Sequence, residues 1–464
     1  MKFFRRVHPE LILLTLAAFI TRFWFVTKPN AVVFDEVYFK VYAGDYLTHS
    51  YYFDPHPPLG KELLGLWAWL SHQSGAILTS SAPGVDLRYL PAFAGALIIP
   101  VVYVLLRQLG GSRRIATLAA LAVLADNALL VESRLVLIDS MLVLFGLGAV
   151  VAYLASRTRT GWRSYTFVAL AAILGGMASS TKWTGISALG LIGLIWLYDL
   201  VKKHANLKQA AIRLAMIITI PTAVYLTVFA IHFATLTNSG QGDAFMPLRF
   251  QATLVGNPNY SPTAHESFIH KFIDLNVEMN AAEASLKTAT HPYGSAWYTW
   301  PIESRPVYYW AGDALPNGNQ GNIYLLGNPV VWWGTLIVLA VLGGQFLAGR
   351  RIPRRWVFAI GLLSTAYLAN WLPFSLIHRV MFLYHYLFAL IYSIALASLG
   401  LGLVSGWNLT SDHFWHFRSK ASRNGYIAAL VLIVVGFVYF IPLSYGNPIS
   451  PSSLVQHDWL KSWR

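Results

Sequence analysis

The chain has 464 residues, of which 56% are hydrophobic and 12% are charged, and it contains no cysteine. Soluble domains carry about 25% charged residues, so this composition excludes an ordinary soluble domain and indicates a membrane protein. The lack of cysteine excludes disulfides and thiolate metal sites. A net charge of +14 would suit a nucleic-acid partner. However, the basic residues lie in short loops between apolar segments, which is a topology signal, so we predict no nucleic acid.

Eleven apolar segments have roughly the length that crosses a bilayer as a helix. They cover residues 11–26, 89–106, 115–130, 139–155, 165–178, 185–201, 214–233, 329–347, 356–372, 382–403 and 425–443. Two connections, 28–88 and 234–328, are long, and residues 59–70 within the first follow an amphipathic helical pattern. The sequence therefore predicts an all-α polytopic membrane protein with eleven or so transmembrane helices and amphipathic helices in its outer loops.

Every second connection is short and strongly basic. These loops contain Arg107, Arg113 and Arg114, then Arg157, Arg159 and Arg163, then Lys202, Lys203, Lys208 and Arg213, then Arg350, Arg351, Arg354 and Arg355, and finally Arg418, Lys420 and Arg423. Because cytoplasmic loops carry the excess of Lys and Arg, we predict a cytoplasmic N-terminus and, after an odd number of spans, an outer C-terminus. We expect a cell-membrane protein with a membrane domain over 1–444, outer loops over 28–88 and 234–328, and an outer tail over 445–464.

Two acidic motifs follow the first span. Asp35 and Glu36 are adjacent carboxylates near an apolar boundary, where one pKa can rise enough for a general base. An isolated pair of this kind is more often an ordinary acidic turn. The stretch 54–61 then combines Asp54, His56 and Lys61 with three prolines, which fix a rigid approach to the amphipathic helix.

Three cations are expected at the outer ends of spans. Arg134 joins two spans, where an unpaired charge is costly. It can pair with a nearby carboxylate or clamp a phosphate, and both alternatives stand. Lys182 can simply snorkel to the interface. Arg379 lies at the same outer level, just before Tyr384 and His385.

The large outer loop ends in aromatic residues. Its candidate contact residues are Trp297, Trp300, Arg305, Tyr308 and Tyr309. Such rings form an interfacial belt in many membrane proteins, and they can also stack on a sugar or cover a peptide. No metal-binding pattern and no phosphate-binding glycine loop is found in the sequence. A divalent cation held by two carboxylates stays an open alternative, and we predict no other cofactor.

In this order, the motifs resemble the protein O-mannosyltransferase family, membrane glycosyltransferases of the GT-C type. The matching segments are 34–39, 53–61, 126–127, 133–134, 138–139, 182–185, 300–301, 305–309, 379 and 382–386. The resemblance runs from about residue 34 to 386. Eukaryotic members carry a β-trefoil MIR domain in the large outer loop, for which 234–328 has no room, so the chain resembles a bacterial member.

This resemblance implies a polyprenyl-phosphate-mannose donor, Ser or Thr hydroxyls of secreted polypeptides as acceptors, and inversion at the sugar carbon. The Sec translocon is a further candidate partner. Asp35 is then the base, with Glu36 in support, while Arg134, Arg379 and Lys182 hold the phosphate. The remaining donor-site candidates are Asp54, His56, Tyr384 and His385, and the acceptor-site candidates are the five residues of the large outer loop named above.

Two alternatives remain at this point. One is another GT-C enzyme, similar to an aminoarabinose transferase, which uses a lipid-phosphate sugar but a lipid acceptor. The other is a transporter, which would carry ionisable residues at mid-membrane and repeated halves. The ionisable residues of this sequence gather at one face, and no repeat is visible, so both alternatives rank below the protein mannosyltransferase.

Overall fold

The computed structural model describes residues 8–204, 206–285, 289–405, 407 and 413–463. Its α-helices are α1 (Pro9–Phe23), α2 (Glu36–Thr48), α3 (Leu59–Leu70), α4 (Gly75–Leu78), α5 (Tyr89–Gln108), α6 (Arg113–Leu124), α7 (Asn127–Arg134), α8 (Asp139–Arg157), α9 (Trp162–Thr181), α10 (Ile186–Val201), α11 (Leu207–Thr235), α12 (Leu248–Gln251), α13 (Phe268–Ser285), α14 (Pro329–Leu347), α15 (Arg354–Ala369), α16 (Leu387–Val404), α17 (Lys420–Tyr445) and α18 (Pro451–His457). Two strands, β1 (Val307–Ala311) and β2 (Asn322–Leu325), form an antiparallel hairpin.

Ten of the eleven predicted spans each overlap one α-helix, and the eleventh, 115–130, is divided between α6 and α7. Within the described residues, nine helical segments are long and apolar enough to cross a membrane. The pair α6 and α7 passes the same test only together, with a bend of 57° between them. Helix α1 has 15 residues, which is short of the roughly 20 that span a bilayer. The predicted all-α polytopic membrane fold is confirmed.

The bend between α6 and α7 has a local cause. Asp126 breaks the helix and caps the next one, because its carboxylate accepts the Leu129 amide at 2.9 Å. The other carboxylate oxygen accepts the Asn328 amide and the Trp332 indole N–H, at 3.1 and 2.7 Å. A single buried aspartate therefore ties α7 to the start of α14.

Helices α8 and α16 form the most enclosed part of the bundle. Gly146 of α8 lies directly against Phe388 of α16, and a Cβ atom at this glycine would come within 2.4 Å of the Phe388 ring. Helix α17 instead exposes apolar side chains along its length, including Val431, Leu432 and Val435. Apolar exposure of this extent suits a face turned towards lipid.

The first outer connection contains α2, α3 and α4. Helix α3 has the predicted bounds and begins directly after Pro58. Leu64 of this helix is fully buried, while Leu66, Trp69 and Leu70 are exposed. The predicted amphipathic helix is therefore present, and its exposed apolar residues lie at helical spacing on one face.

The C-terminal segment folds back onto the large outer loop. The Trp463 ring is buried, and its indole N–H donates to the Glu303 carbonyl oxygen at 2.7 Å. Residues Gln320 and Ile449 form an antiparallel bridge. The expected outer tail is thus packed against the loop that precedes β1.

Candidate functional site

Glu36 anchors the first outer connection to the bundle. Its carboxylate accepts the Nε and Nη2 hydrogens of Arg88, both at 2.7 Å, and the amides of Val33 and Val136 at 2.9 and 2.8 Å. Both side chains of the ion pair are fully buried. Arg88 also donates to the carbonyl oxygens of Pro29 and Ala31. Glu36 therefore links three places: Val33 at the start of the first outer connection, Arg88 at its end, and Val136 between α7 and α8.

Asp35 differs from its neighbour in every one of these respects. Its side chain is half-buried, and no hydrogen bond or ion pair to its carboxylate is found in the part of the chain that the structure describes. Burial raises the pKa of Asp35 to about 6, against the attraction of Lys182. Asp139 and Asp54 raise it further. A carboxylate with this pKa is ionised at neutral pH and basic enough to accept a proton.

The backbone before Asp35 is turned sharply. Phe34 has φ 51°, in the left-handed region that a bulky side chain rarely adopts. Its ring stacks on Tyr309 at 4.0 Å and meets the Tyr384 ring edge-on at 6.2 Å. Packing of Phe34 between these two rings therefore sets the position of the adjacent Asp35.

Lys182 and Asp139 form an ion pair beside Asp35. The ammonium nitrogen lies 2.8 and 2.7 Å from the two Asp139 oxygens, and 5.6 Å from the centre of the Tyr384 ring. Asp139 is the first residue of α8, and Lys182 follows the end of α9. Two spans thus bring one cation and one anion to the same point.

The proline-rich turn, residues 54–61, is stabilised by hydrogen bonds among its own residues. The Lys61 ammonium is fully buried and donates to the Asp54 carboxylate at 3.1 Å and to the His56 and Pro57 carbonyl oxygens at 2.6 and 2.9 Å. Burial opposes ionisation of Asp54, but Lys61 and His56 outweigh it and leave the pKa of Asp54 below its usual value. Burial lowers the pKa of His56 to about 3, so this ring is neutral.

A cavity of about 700 Å³ opens next to these groups. Of the sequence-predicted residues, His56, Lys182, Arg379, Tyr384 and His385 line it, and Asp139 lines it as well. Asp35 is not among the residues that line the cavity. It connects to the wall through its neighbour Phe34, whose ring meets the Tyr384 ring edge-on at 6.2 Å. The volume suits a sugar-sized ligand with an attached group.

Arg379 meets a residue that sequence reasoning missed. Its Nε lies 2.8 Å from Oε2 of Glu283 on α13, and Oε1 of the same carboxylate lies 3.9 Å from Nδ1 of His56. Glu283 and Asn280 both line the cavity. The only signal in the sequence was an acidic residue on a helical stretch of the large outer loop, which is too common to identify a site.

The predicted acceptor residues lie behind the cavity wall and do not line it. Trp300 is buried and stacks on His385 with ring centres 5.8 Å apart. Tyr309 donates to the Glu132 carboxylate at 3.0 Å. Tyr308 donates to Asn322 at 2.6 Å, and the Trp297 carbonyl accepts the Trp371 indole at 2.9 Å.

Arg305 is the one cation in this group. Its Nε is buried, and among the described residues its guanidinium has no hydrogen bond or ion pair. Like the aromatic residues, it does not line the cavity.

Arg134, the first of the expected phosphate-binding residues, contacts backbone carbonyl oxygens in this structure. Its guanidinium donates to the carbonyl oxygens of Arg22, Trp24 and Phe25 at 3.0, 2.6 and 3.0 Å. It also lies 4.2 Å from the centre of the Tyr445 ring. The open carbonyls at the end of α1 account for this position, since a guanidinium offers several donors in one plane. Arg134 does not line the cavity, and its contacts are with a helix end and the Tyr445 ring.

No group of three or more His, Asp or Glu side chains arranged to hold a metal ion is found among the described residues. The carboxylates of Glu36 and Asp139 are occupied by Arg88 and Lys182.

Two family models match the chain. One, described as dolichyl-phosphate-mannose-protein mannosyltransferase, covers residues 12–237. The other, described as the C-terminal four-transmembrane region of protein O-mannosyltransferase, covers residues 268–463. Together they span both sides of the cavity, including Asp35 and Arg379.

Curated relatives agree with these matches. Dolichyl-phosphate-mannose–protein mannosyltransferase 4 of Candida albicans is 32% identical over 338 residues, which cover 67% of this chain and 42% of that protein. Protein O-mannosyltransferase 1 of Drosophila melanogaster is 38% identical over 263 residues, covering 52% and 30%. The chain therefore spans less than half the length of these relatives.

Solved structures share the fold. A chain of the S. cerevisiae protein O-mannosyltransferase Pmt1-Pmt2 complex bound to the sugar donor matches with a TM-score of 0.87 at 20% identity, over 98% of this chain and 92% of that one. ArnT from Cupriavidus metallidurans bound to undecaprenyl phosphate matches with a TM-score of 0.57 at 14% identity, over 95% and 78%.

Proposed function

The chain belongs to the protein O-mannosyltransferase family, and we propose that it transfers a mannosyl group from a polyprenyl-phosphate donor to Ser or Thr hydroxyls of translocated proteins. The observation that carries this proposal is the Asp35 carboxylate, which has no partner among the described residues. It does not line the cavity, but it interacts electrostatically with Lys182, which lies in the cavity wall together with a second cation, Arg379. A base and a phosphate-binding surface next to each other are what this reaction requires.

Asp35 is the proposed base. The acceptor oxygen attacks the anomeric carbon while its proton passes to the Asp35 carboxylate, and the bond from that carbon to the phosphate oxygen breaks. Polyprenyl phosphate leaves with the bonding electrons, and no acid has to protonate it. A single base acting opposite the leaving group gives inversion.

Lys182 and Arg379 are the proposed holders of the phosphate. Both already contact a carboxylate, Asp139 and Glu283 respectively. The donor phosphate would therefore enter by sharing or displacing these carboxylates, and charge-assisted hydrogen bonds to it would strengthen as negative charge develops. Glu36 supports Asp35 through the backbone that it anchors. In this proposal Arg134 does not bind the phosphate.

The remaining site residues have positioning roles. The Asp54–Lys61 pair keeps the proline turn in place, so that His56 forms part of the cavity wall. Trp300 supports His385 from behind, and Tyr309 supports Phe34. Trp297, Arg305 and Tyr308 belong to the same outer layer, where an acceptor polypeptide would pass.

We propose that the cavity lies on the outer face of the cell membrane. The arginine- and lysine-rich connections lie at the other ends of the same helices, which supports a cytoplasmic N-terminus and an outer C-terminus. An acceptor on that side arrives as a translocated chain, so the Sec translocon is the partner we expect to supply it.

The test uses purified protein in liposomes with labelled polyprenyl-phosphate mannose and a Ser/Thr peptide. We expect labelled peptide from the wild type and at least a thousandfold less from Asp35→Asn, since removing the base removes its contribution to the barrier. The control is Asp86→Asn, an exposed outer carboxylate away from the cavity, which should behave as wild type. Label appearing only in lipid, or full activity of Asp35→Asn, would contradict the proposal.

A further inference from the structure

A second cavity of about 420 Å³ lies at the opposite end of the bundle. Helix α8 connects the two: its first residue, Asp139, lines the first cavity, and its last, Arg157, lines the second one. Nineteen helical residues separate the cavities by about 28 Å, which is close to the thickness of the hydrocarbon core. The second cavity therefore lies at the headgroup level of the other membrane face.

Three arginines line this cavity: Arg157, Arg159 and Arg213. The one carboxylate in its wall, Asp199, is taken up by Arg157, with Nε–Oδ2 and Nη2–Oδ1 distances of 2.9 and 2.7 Å. The charged side chains that line the cavity therefore sum to a net positive charge. An anion is consequently the ligand that the charge of the wall favours.

Arg213 has unused hydrogen-bonding capacity. Its Nη2 donates to Ser164 Oγ at 2.9 Å, while its Nε is buried and has no acceptor. Within the described residues it forms no ion pair. A guanidinium carries five N–H donors, so Arg213, which lines the cavity, has donors left for an oxyanion bound there.

The start of α9 adds a second, independent source of positive potential. Thr160 and Gly161 line the cavity, and α9 begins at Trp162 with no side chain capping it. The first amides of a 20-residue helix lack partners within the helix, and the dipole favours an anion there.

The surroundings favour a lipid as the carrier of that anion. Trp162 is 73% exposed and Leu207 is 77% exposed, and both begin helices at this end of the bundle. Exposed apolar side chains next to a basic cavity fit the boundary between acyl chains and headgroups.

We propose that this second cavity binds a phosphate group, with Arg213, Arg159 and the start of α9 as donors. An anionic lipid headgroup at that face would carry it, and free phosphate is the other source of the same chemistry. The site is separate from the sugar-transfer cavity, so the proposal does not depend on the reaction assigned to the chain.

The experiment measures the thermal unfolding midpoint of delipidated full-length protein during titration with short-chain phosphatidylglycerol, phosphatidylcholine of the same chain length, or inorganic phosphate. For the wild type, we expect a saturable increase with phosphatidylglycerol and none with phosphatidylcholine. Arg213→Gln should weaken this binding about tenfold. An equal response to inorganic phosphate would identify free phosphate as the ligand.

Two further variants keep the result interpretable. Arg213→Lys retains the charge and should keep most of the affinity, and Arg159→Gln tests the same cavity if Arg213→Gln fails to fold. Arg350→Gln, an exposed arginine of another basic connection, is the matched control and should bind as wild type. Wild-type affinity in both cavity variants, or an equal loss in Arg350→Gln, would overturn the proposal.

Discussion

Asp35 and Glu36 are consecutive in the chain, but their carboxylates have opposite surroundings. The Glu36 oxygens accept four hydrogen bonds from Arg88, Val33 and Val136. The Asp35 carboxylate oxygens accept none from the described residues and interact electrostatically with Lys182 and Asp139 of the cavity wall. The difference arises because Glu36 begins α2 and points into the bundle, while the left-handed Phe34 turns Asp35 away from it. One carboxylate therefore builds the site, and the other is available for chemistry.

The pH dependence of sugar transfer should report the Asp35 pKa. The carboxylate must be ionised to accept a proton, and its pKa is raised to about 6. We expect kcat/KM to be level above pH 7 and to fall about tenfold per unit below pH 6. His56 is neutral and Asp54 ionised across this range.

The control for this profile is Asp45→Asn, because burial raises the pKa of Asp45 to about 6 as well. We expect the variant to keep the wild-type profile. A profile that becomes flat in Asp45→Asn, or that shows no fall near pH 6 in the wild type, would exclude Asp35 as the titrating base.

Removing Arg88 should unfold the first outer connection. Arg88→Ala leaves the Glu36 carboxylate buried without its cation, which costs about 3–5 kcal/mol of folding stability. Thermal unfolding of the detergent-solubilised protein measures this loss. The double variant Arg88→Met, Glu36→Leu should recover part of it, since no charge is then left buried. Equal unfolding midpoints in wild type and Arg88→Ala would refute the anchoring role.

Glu283→Gln should tighten donor binding. The Glu283 carboxylate lies 2.8 Å from the Arg379 guanidinium and competes with the donor phosphate for it. Because both side chains are partly exposed, we expect only a 2–10-fold decrease in the KM for polyprenyl-phosphate mannose. The control is Glu278→Gln on the same helix, which should leave KM unchanged. A higher KM in Glu283→Gln would instead indicate that this carboxylate binds the sugar.

Arg134→Lys should lower the folding stability of the protein and leave the KM for the sugar donor unchanged. A lysine ammonium cannot reproduce the planar fork that serves the carbonyl oxygens at the end of α1. We expect a lower unfolding midpoint and a KM for the donor within twofold of wild type in the folded fraction. An unchanged midpoint with a KM increased tenfold or more would return Arg134 to the phosphate site.

The sequence by itself determined the membrane fold and the region of the site. Apolar segments of bilayer length have few alternatives to a helix, since every backbone group must find its hydrogen bond within lipid. The ordered motifs around Asp35, His56, Lys182 and Arg379 likewise indicate one family.

The partners of each charge were decided only by the tertiary structure. Arg134 and Arg379 look alike in the sequence, yet one meets helix-end carbonyls and the other meets a cavity and Glu283. Glu283 lies almost a hundred residues from Arg379 in the chain, and no local periodicity connects them. The packing of α1, α7 and α13 decides which of these two arginines contacts backbone carbonyls and which contacts a carboxylate at the cavity. The strength of each interaction depends on the distance between the charged groups in three dimensions, which the sequence does not give.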